Sequence, residues 1–202
     1  MKITILASSF VLMLFVYLMA KRQNRLSDKQ NASFWEREAR ANSVRRKPLD
    51  NLHYIMIPLE KFPTHLLRDN PAVLDYIDTV ESLTDKKIVN LTGWSNTDLK
   101  LEYGAANINI LSEYDHNYTL LMTTLQKWAD ELLKANYKDE AAVLMQFSVS
   151  TLTDIGRTYY LLADYYASKG KWEQIDDLIR TAEGLRSSTK TTILRHLREK
   201  NI

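Results

Sequence analysis

The chain has no cysteine among its 202 residues, which excludes disulfides, thiol nucleophiles and cysteine-bound zinc or iron–sulfur centres. Glycine is scarce as well. Gly93, Gly104, Gly156, Gly170 and Gly184 stand singly, so neither a P-loop nor a dinucleotide fingerprint can be assembled, and no serine lies in a GxSxG elbow. The four histidines, His53, His65, His116 and His196, include no HExxH pair. Glu113 with His116, and His196 with Glu199, each offer only two ligands spaced three apart, which falls short of a metal site. Acidic neighbours such as Asp176 and Asp177 point in different directions on a helix and read as solvated surface. These absences predict no enzyme, no cofactor, no metal and no small-molecule substrate.

What is present is an ordinary globular balance, 45% hydrophobic and 26% charged, sufficient for one sizeable core. The net charge of +2 hides an asymmetry. Residues 21–47 carry nine basic side chains against three acidic ones, a net of +6, whereas 48–202 carry 17 against 22, a net of −5. An acidic domain with its aromatics on core positions does not suggest nucleic-acid binding.

Residues 3–20, ITILASSFVLMLFVYLMA, are uncharged and free of proline and glycine. As a helix this stretch would reach about 27 Å at 1.5 Å per residue, close to the ~30 Å of a bilayer's hydrocarbon. A cleaved secretory signal is the competing reading. It wants small residues at the last and third-last positions, and Leu18-Met19-Ala20 supplies one. Lys2 stands alone before the stretch, while Lys21, Arg22, Arg25, Lys29, Arg37 and Arg40 follow it. The positive-inside rule then predicts a single-pass cell-membrane protein, N-terminus outside and the domain cytoplasmic. The sequons at Asn31, Asn90 and Asn117 become chance matches without glycan. The same basic flank makes Lys21, Arg22, Arg25 and Lys29 candidate contacts for anionic lipid, although a solvated spacer is the favoured reading, since the orientation rule alone already accounts for these charges.

The expected division is an anchor at 1–20, a basic, helical juxtamembrane stalk at 21–47, an extended strap with two or more short helices at 48–117, and two helix pairs with a capping helix at 118–202. The stalk helix is expected to stop by Lys47, since Pro48 biases the residue before it away from helical geometry. Asn70-Pro71 is a strong helix start, and Ser95 with Asp98 resembles a capping box for a short helix ending near Gly104.

The C-terminal half aligns with itself at a shift of 34 residues. Leu125, Trp128, Ala129, Leu132, Ala141, Met145 and Ser148 fall on Tyr159, Leu162, Ala163, Tyr166, Ile175, Ile179 and Ala182. Gly170 falls at the turn of the second unit, and Asn136, which also tolerates a left-handed turn, stands there in the first. Residues 189–200 place Ile193, Leu194 and Leu197 on one side, as a capping helix requires. This pattern resembles the tetratricopeptide repeat, with departures at Ile175 and at the closing-proline positions, Thr153 and Ser187. The resemblance implies an all-α fold: the membrane helix, a right-handed array of helical hairpins, and a C-terminal cap. It also implies a concave face that binds a peptide or protein of unstated identity, with Gln126, Asp130, Leu133, Arg157, Tyr160, Asp164 and Ala167 on it. The expected role is a membrane-tethered adaptor, or else a structural subunit of a membrane complex with no groove-bound ligand.

Overall fold

The computed structural model describes the backbone of residues 2–200 and the side chains of 13, 15–19, 21–23 and 31–200. Its helices, in chain order, are α1 (Lys2–Ser43), α2 (Pro71–Ser82), α3 (Asn96–Tyr103), α4 (Ile108–Lys134), α5 (Lys138–Ser150), α6 (Gly156–Ser168), α7 (Trp172–Glu183) and α8 (Lys190–Lys200). The fold is all-helical. Among the described residues the nearest approach to a sheet is a single antiparallel bridge, Tyr54 to Val89. Also among the described residues, no helix is long and apolar enough to cross a membrane. Most side chains of the apolar stretch 3–20 lie outside the described residues.

Two compact units divide the chain: Met1–Lys47 with Ser95–Asn107, and Pro48–Trp94 with Ile108–Ile202. In the first unit α1 packs on α3, and Ala41 and Leu99 are buried. Ser95 caps α3 with the reciprocal capping box its sequence announces. Asp98 accepts from Ser95 and from Arg37, so its carboxyl is held below the usual range. Glu38 accepts from Lys100 and Thr97 with the same effect.

The stalk helix ends at Ser43 and not at Lys47. Its next residues find partners elsewhere: Val44 O accepts from Ala105 N (3.3 Å), and Lys47 N donates to Tyr103 O (3.0 Å). Gly104, at φ +92, makes this approach possible, because a Cβ there would collide with the Arg45 carbonyl. Asn107, fully buried, locks the junction by donating to Lys47 O (2.8 Å) and Tyr103 O (2.7 Å) while accepting from Arg46 Nε (2.9 Å).

In the second unit α4 packs against α2 and α5, and the chain continues α5 on α6, α6 on α7, and α8 on both α6 and α7. Asn70 caps α2 by accepting from Ala72 N, with Pro71 at the first helical position. The strap, 49–63, holds the bridge residue Tyr54 and one short 3₁₀ turn, Leu59–Lys61, and packs Phe62 against both Trp128 and Phe147. The expected boundary at 117/118 falls inside α4. Nothing between Gly104 and Ala135 breaks a helix, and Leu111, Tyr118, Leu121, Met122 and Leu125 continue one buried stripe.

Of the fourteen positions matched at the 34-residue shift, every one but Ile179 is buried, and Ile179 packs against the core. Three connections share one device. After α4, α5 and α6 the residues Asn136 (φ 67), Leu152 (φ 61) and Gly170 (φ 67) turn left-handed. Each is followed by an N–H that reaches five residues back: Tyr137 to Leu132 O, Thr153 to Ser148 O, Lys171 to Tyr166 O. These are Schellman closures, which satisfy carbonyls the helix end leaves free.

Candidate partner-binding face

Of the positions assigned to the concave face, Gln126, Asp130 and Arg157 pair with one another, while Tyr160 and Asp164 pair with residues of α8. Gln126 on α4 is nearly buried and accepts from Thr158 Oγ1 on α6 (2.6 Å). Its amide donates to Asp130 (3.1 Å), and Arg157 Nε reaches both oxygens of Asp130 (3.0 and 3.2 Å). A chain of four polar side chains therefore links α4 to α6. Thr158 was not legible as a member, because its partner lies 32 positions away.

The next step of this ladder runs from α6 to α8. Tyr160 stacks on His196 with ring centroids 4.0 Å apart, and Asp164 pairs with Lys200 (2.6 Å). Leu133 and Ala167 are half-buried against the core. What stays open to solvent is the outer part of the ladder: the Arg157 side chain is 60% exposed and that of Asp164 53%. Such exposed pairs contribute little stability, roughly 0–1 kcal/mol each, so they leave charge available for recognition at small cost to the fold.

At the turns between paired helices, Asp139 accepts from Lys169 (2.8 Å) and Tyr165 (2.9 Å), which lowers its pKa and raises that of Lys169. Tyr137 and Trp172 are exposed beside these turns.

A second polar cluster holds loop 89–94 against the rest of the second unit. Asn90 Nδ2 lies within hydrogen-bond distance of Thr151 O (2.9 Å), Leu152 O (3.0 Å) and Tyr118 Oη (3.0 Å). Asp115 accepts from Leu91 N (3.0 Å); burial raises its pKa, the bond to Leu91 offsets part of this, and Asp154 adds to the rise. Asn117 donates to Lys87 O (3.1 Å), and Arg186 lies over the Trp94 ring at 5.2 Å. Two of the three sequon asparagines, Asn90 and Asn117, are thus committed to the fold. Tyr159 Oη and Trp128 Nε1 are buried without a hydrogen-bond partner among the described residues, and burial pushes the Tyr118 and Tyr159 hydroxyls well up.

Of the four candidate lipid contacts, Lys21 and Arg22 are exposed, with Lys21 Nζ 5.8 Å from the Tyr17 ring; the side chains of Arg25 and Lys29 lie outside the described residues. Among the described residues no group of three or more His, Asp or Glu side chains is placed to hold a metal ion. No family model, curated protein or solved structure matches this chain.

Proposed function

We propose that the chain is a membrane-tethered helical scaffold that engages a protein partner through the α4–α6–α8 face of its second unit. The observation that carries this is the equivalence of Asn136 and Gly170, 34 positions apart and both at φ 67, at the turns of two consecutive helical hairpins. It supports a tetratricopeptide-like, right-handed array in which α2 with the strap covers the front and α8 covers the back. The tether rests on the apolar stretch 3–20 and its basic flank, which favour one span with the domain on the cytoplasmic side. The docking surface is the outer edge of the ladder, Arg157 and Asp164, with Tyr160 between them.

A structural subunit that contacts its complex elsewhere is the second reading, favoured by the engagement of five of the seven face positions inside the domain. Its contact would be the strap, where Met56 is 85% exposed. Affinity capture of the full chain from solubilised membranes separates the two. On the scaffold reading, Arg157→Glu loses the partner and Met56→Asp keeps it; the reverse pattern supports the subunit.

A further inference from the structure

The junction where α1 ends presents a group of cations that the fold holds in place without neutralising. Arg45, Arg46 and Lys47 are all exposed. None of the three makes a salt bridge among the described residues, and two acids of the unit are engaged by other side chains, Asp98 by Arg37 and Ser95, Glu38 by Lys100 and Thr97. Arg45 has no ion pair among the described residues, and Lys47 Nζ meets only the Leu101 carbonyl, at 3.3 Å. Repulsion between three consecutive cations would normally be relieved by free movement in water. Here the backbone is pinned, by the close approach of Gly104 to Arg45 and Arg46 and by the bonds of Lys47 N and Val44 O.

Arg46 is oriented further. Asn107 is fully buried, and its amide donates to two main-chain carbonyls, which fixes its oxygen toward Arg46 Nε at 2.9 Å. With Nε engaged and the residue exposed, the two terminal nitrogens of the guanidinium make no hydrogen bond among the described residues and remain available as a fork. A planar, pre-oriented fork flanked by two further cations suits an anion with several oxygens, and phosphate matches it with two parallel charge-assisted bonds.

We infer that Arg46, positioned by Asn107 and flanked by Arg45 and Lys47, is the seat of a phosphate group. This seat rests on the first unit's own side chains and not on the adaptor reading. A soluble phosphorylated ligand and a lipid headgroup share this chemistry. Along an unbroken α1, 23 residues separate Ala20 from Ser43, about 35 Å at 1.5 Å per residue, whereas a headgroup layer is only about 5–8 Å deep. Taken with the proposed span of residues 3–20, on which this choice rests, that distance favours the soluble source.

The test uses the full chain in detergent micelles, titrated calorimetrically with inorganic pyrophosphate, with circular dichroism on each variant to verify helicity. Saturable binding is expected. Arg45→Gln with Arg46→Gln should weaken it about tenfold or more. Arg46→Lys, which keeps the charge and loses the fork, should weaken it several-fold, and Arg195→Gln with Arg198→Gln, removing the same charge from the second unit, should not change it. Equal losses in the two double variants would mean diffuse attraction and would overturn the seat, as would Arg46→Lys binding like the wild type. In nanodiscs, phosphatidylglycerol that competes with pyrophosphate, when phosphatidylcholine alone does not, identifies the headgroup as the occupant. Uptake unchanged by phosphatidylglycerol identifies a soluble phosphate. Absence of pyrophosphate binding both in micelles and in phosphatidylcholine discs overturns the proposal.

Discussion

Phe62 stands edge-on to Trp128, ring centroids 6.2 Å apart with the planes at 89°, and also meets Phe147 edge-on at 5.3 Å. A residue of the irregular strap is therefore part of the helical core, only 5% exposed. Phe62→Ala should cost about 3 kcal/mol, the lower end for removing a buried phenylalanine, measured by denaturant unfolding. A loss below about 1 kcal/mol would mean that the strap lies on the domain without being part of its core.

Gly104 and Gly170 both sit at positive φ, yet alanine should affect them differently. At Gly170 a Cβ meets nothing within 4 Å, so Gly170→Ala carries only the left-handed backbone strain, about 1 kcal/mol. Gly104→Ala would drive a methyl into the Arg45 carbonyl. It should separate the α1–α3 junction, read as loss of hydrogen-exchange protection in residues 95–107 at a substitution that leaves the second unit's melting unchanged.

Asn90 is a sequon residue whose amide is spent on the fold. Thr92→Ala removes the sequon but keeps the Asn90 bonds, and should leave stability unchanged. Asn90→Ala removes the partner of the Leu152 carbonyl and of Thr92 N, while Tyr118 Oη still donates to Thr151 O, and should cost roughly 1–3 kcal/mol. If thermal melts show the two variants to be alike, loop 89–94 is not held by this side chain.

Asp115 is predicted to weaken the fold at neutral pH. Its folded pKa lies above the ordinary value through burial, with Asp154 adding to the rise. The folded state therefore takes up the proton first. The contribution of Asp115 to stability is fullest below the ordinary carboxylate pKa and is lost as pH rises through the raised one. Asp115→Asn keeps an acceptor for Leu91 N and removes the buried charge. Its melting temperature should exceed that of the parent near pH 7, with the gap closing toward about pH 4. A gap that widens on acidification contradicts the assignment.

Much of the fold was legible because it is local. The Asn70–Pro71 start, the Ser95–Asp98 box and the left-handed turns at Asn136 and Gly170 each lie within a few residues of their partners, where capping chemistry is readable. The end of α1 was not, since Gly104 and Asn107 act on Arg45–Lys47 from about 60 positions away. Leu152 was missed for another reason. Leucine carries no turn signal, and it is held at φ 61 by the Thr153 to Ser148 bond and the hold of Asn90 on the neighbouring carbonyls. At the candidate face, the repeat register located the residues, but their pairing depends on how α4, α6 and α8 are spaced, which periodicity does not encode.

The most direct test of the scaffold reading is photo-crosslinking in native membranes from a reactive residue placed at Arg157, at Met56 or at solvent-facing Asp177 on α7. A discrete partner adduct is expected from position 157, absent from 56 and 177. Adducts from 56 with none from 157 would contradict the scaffold reading.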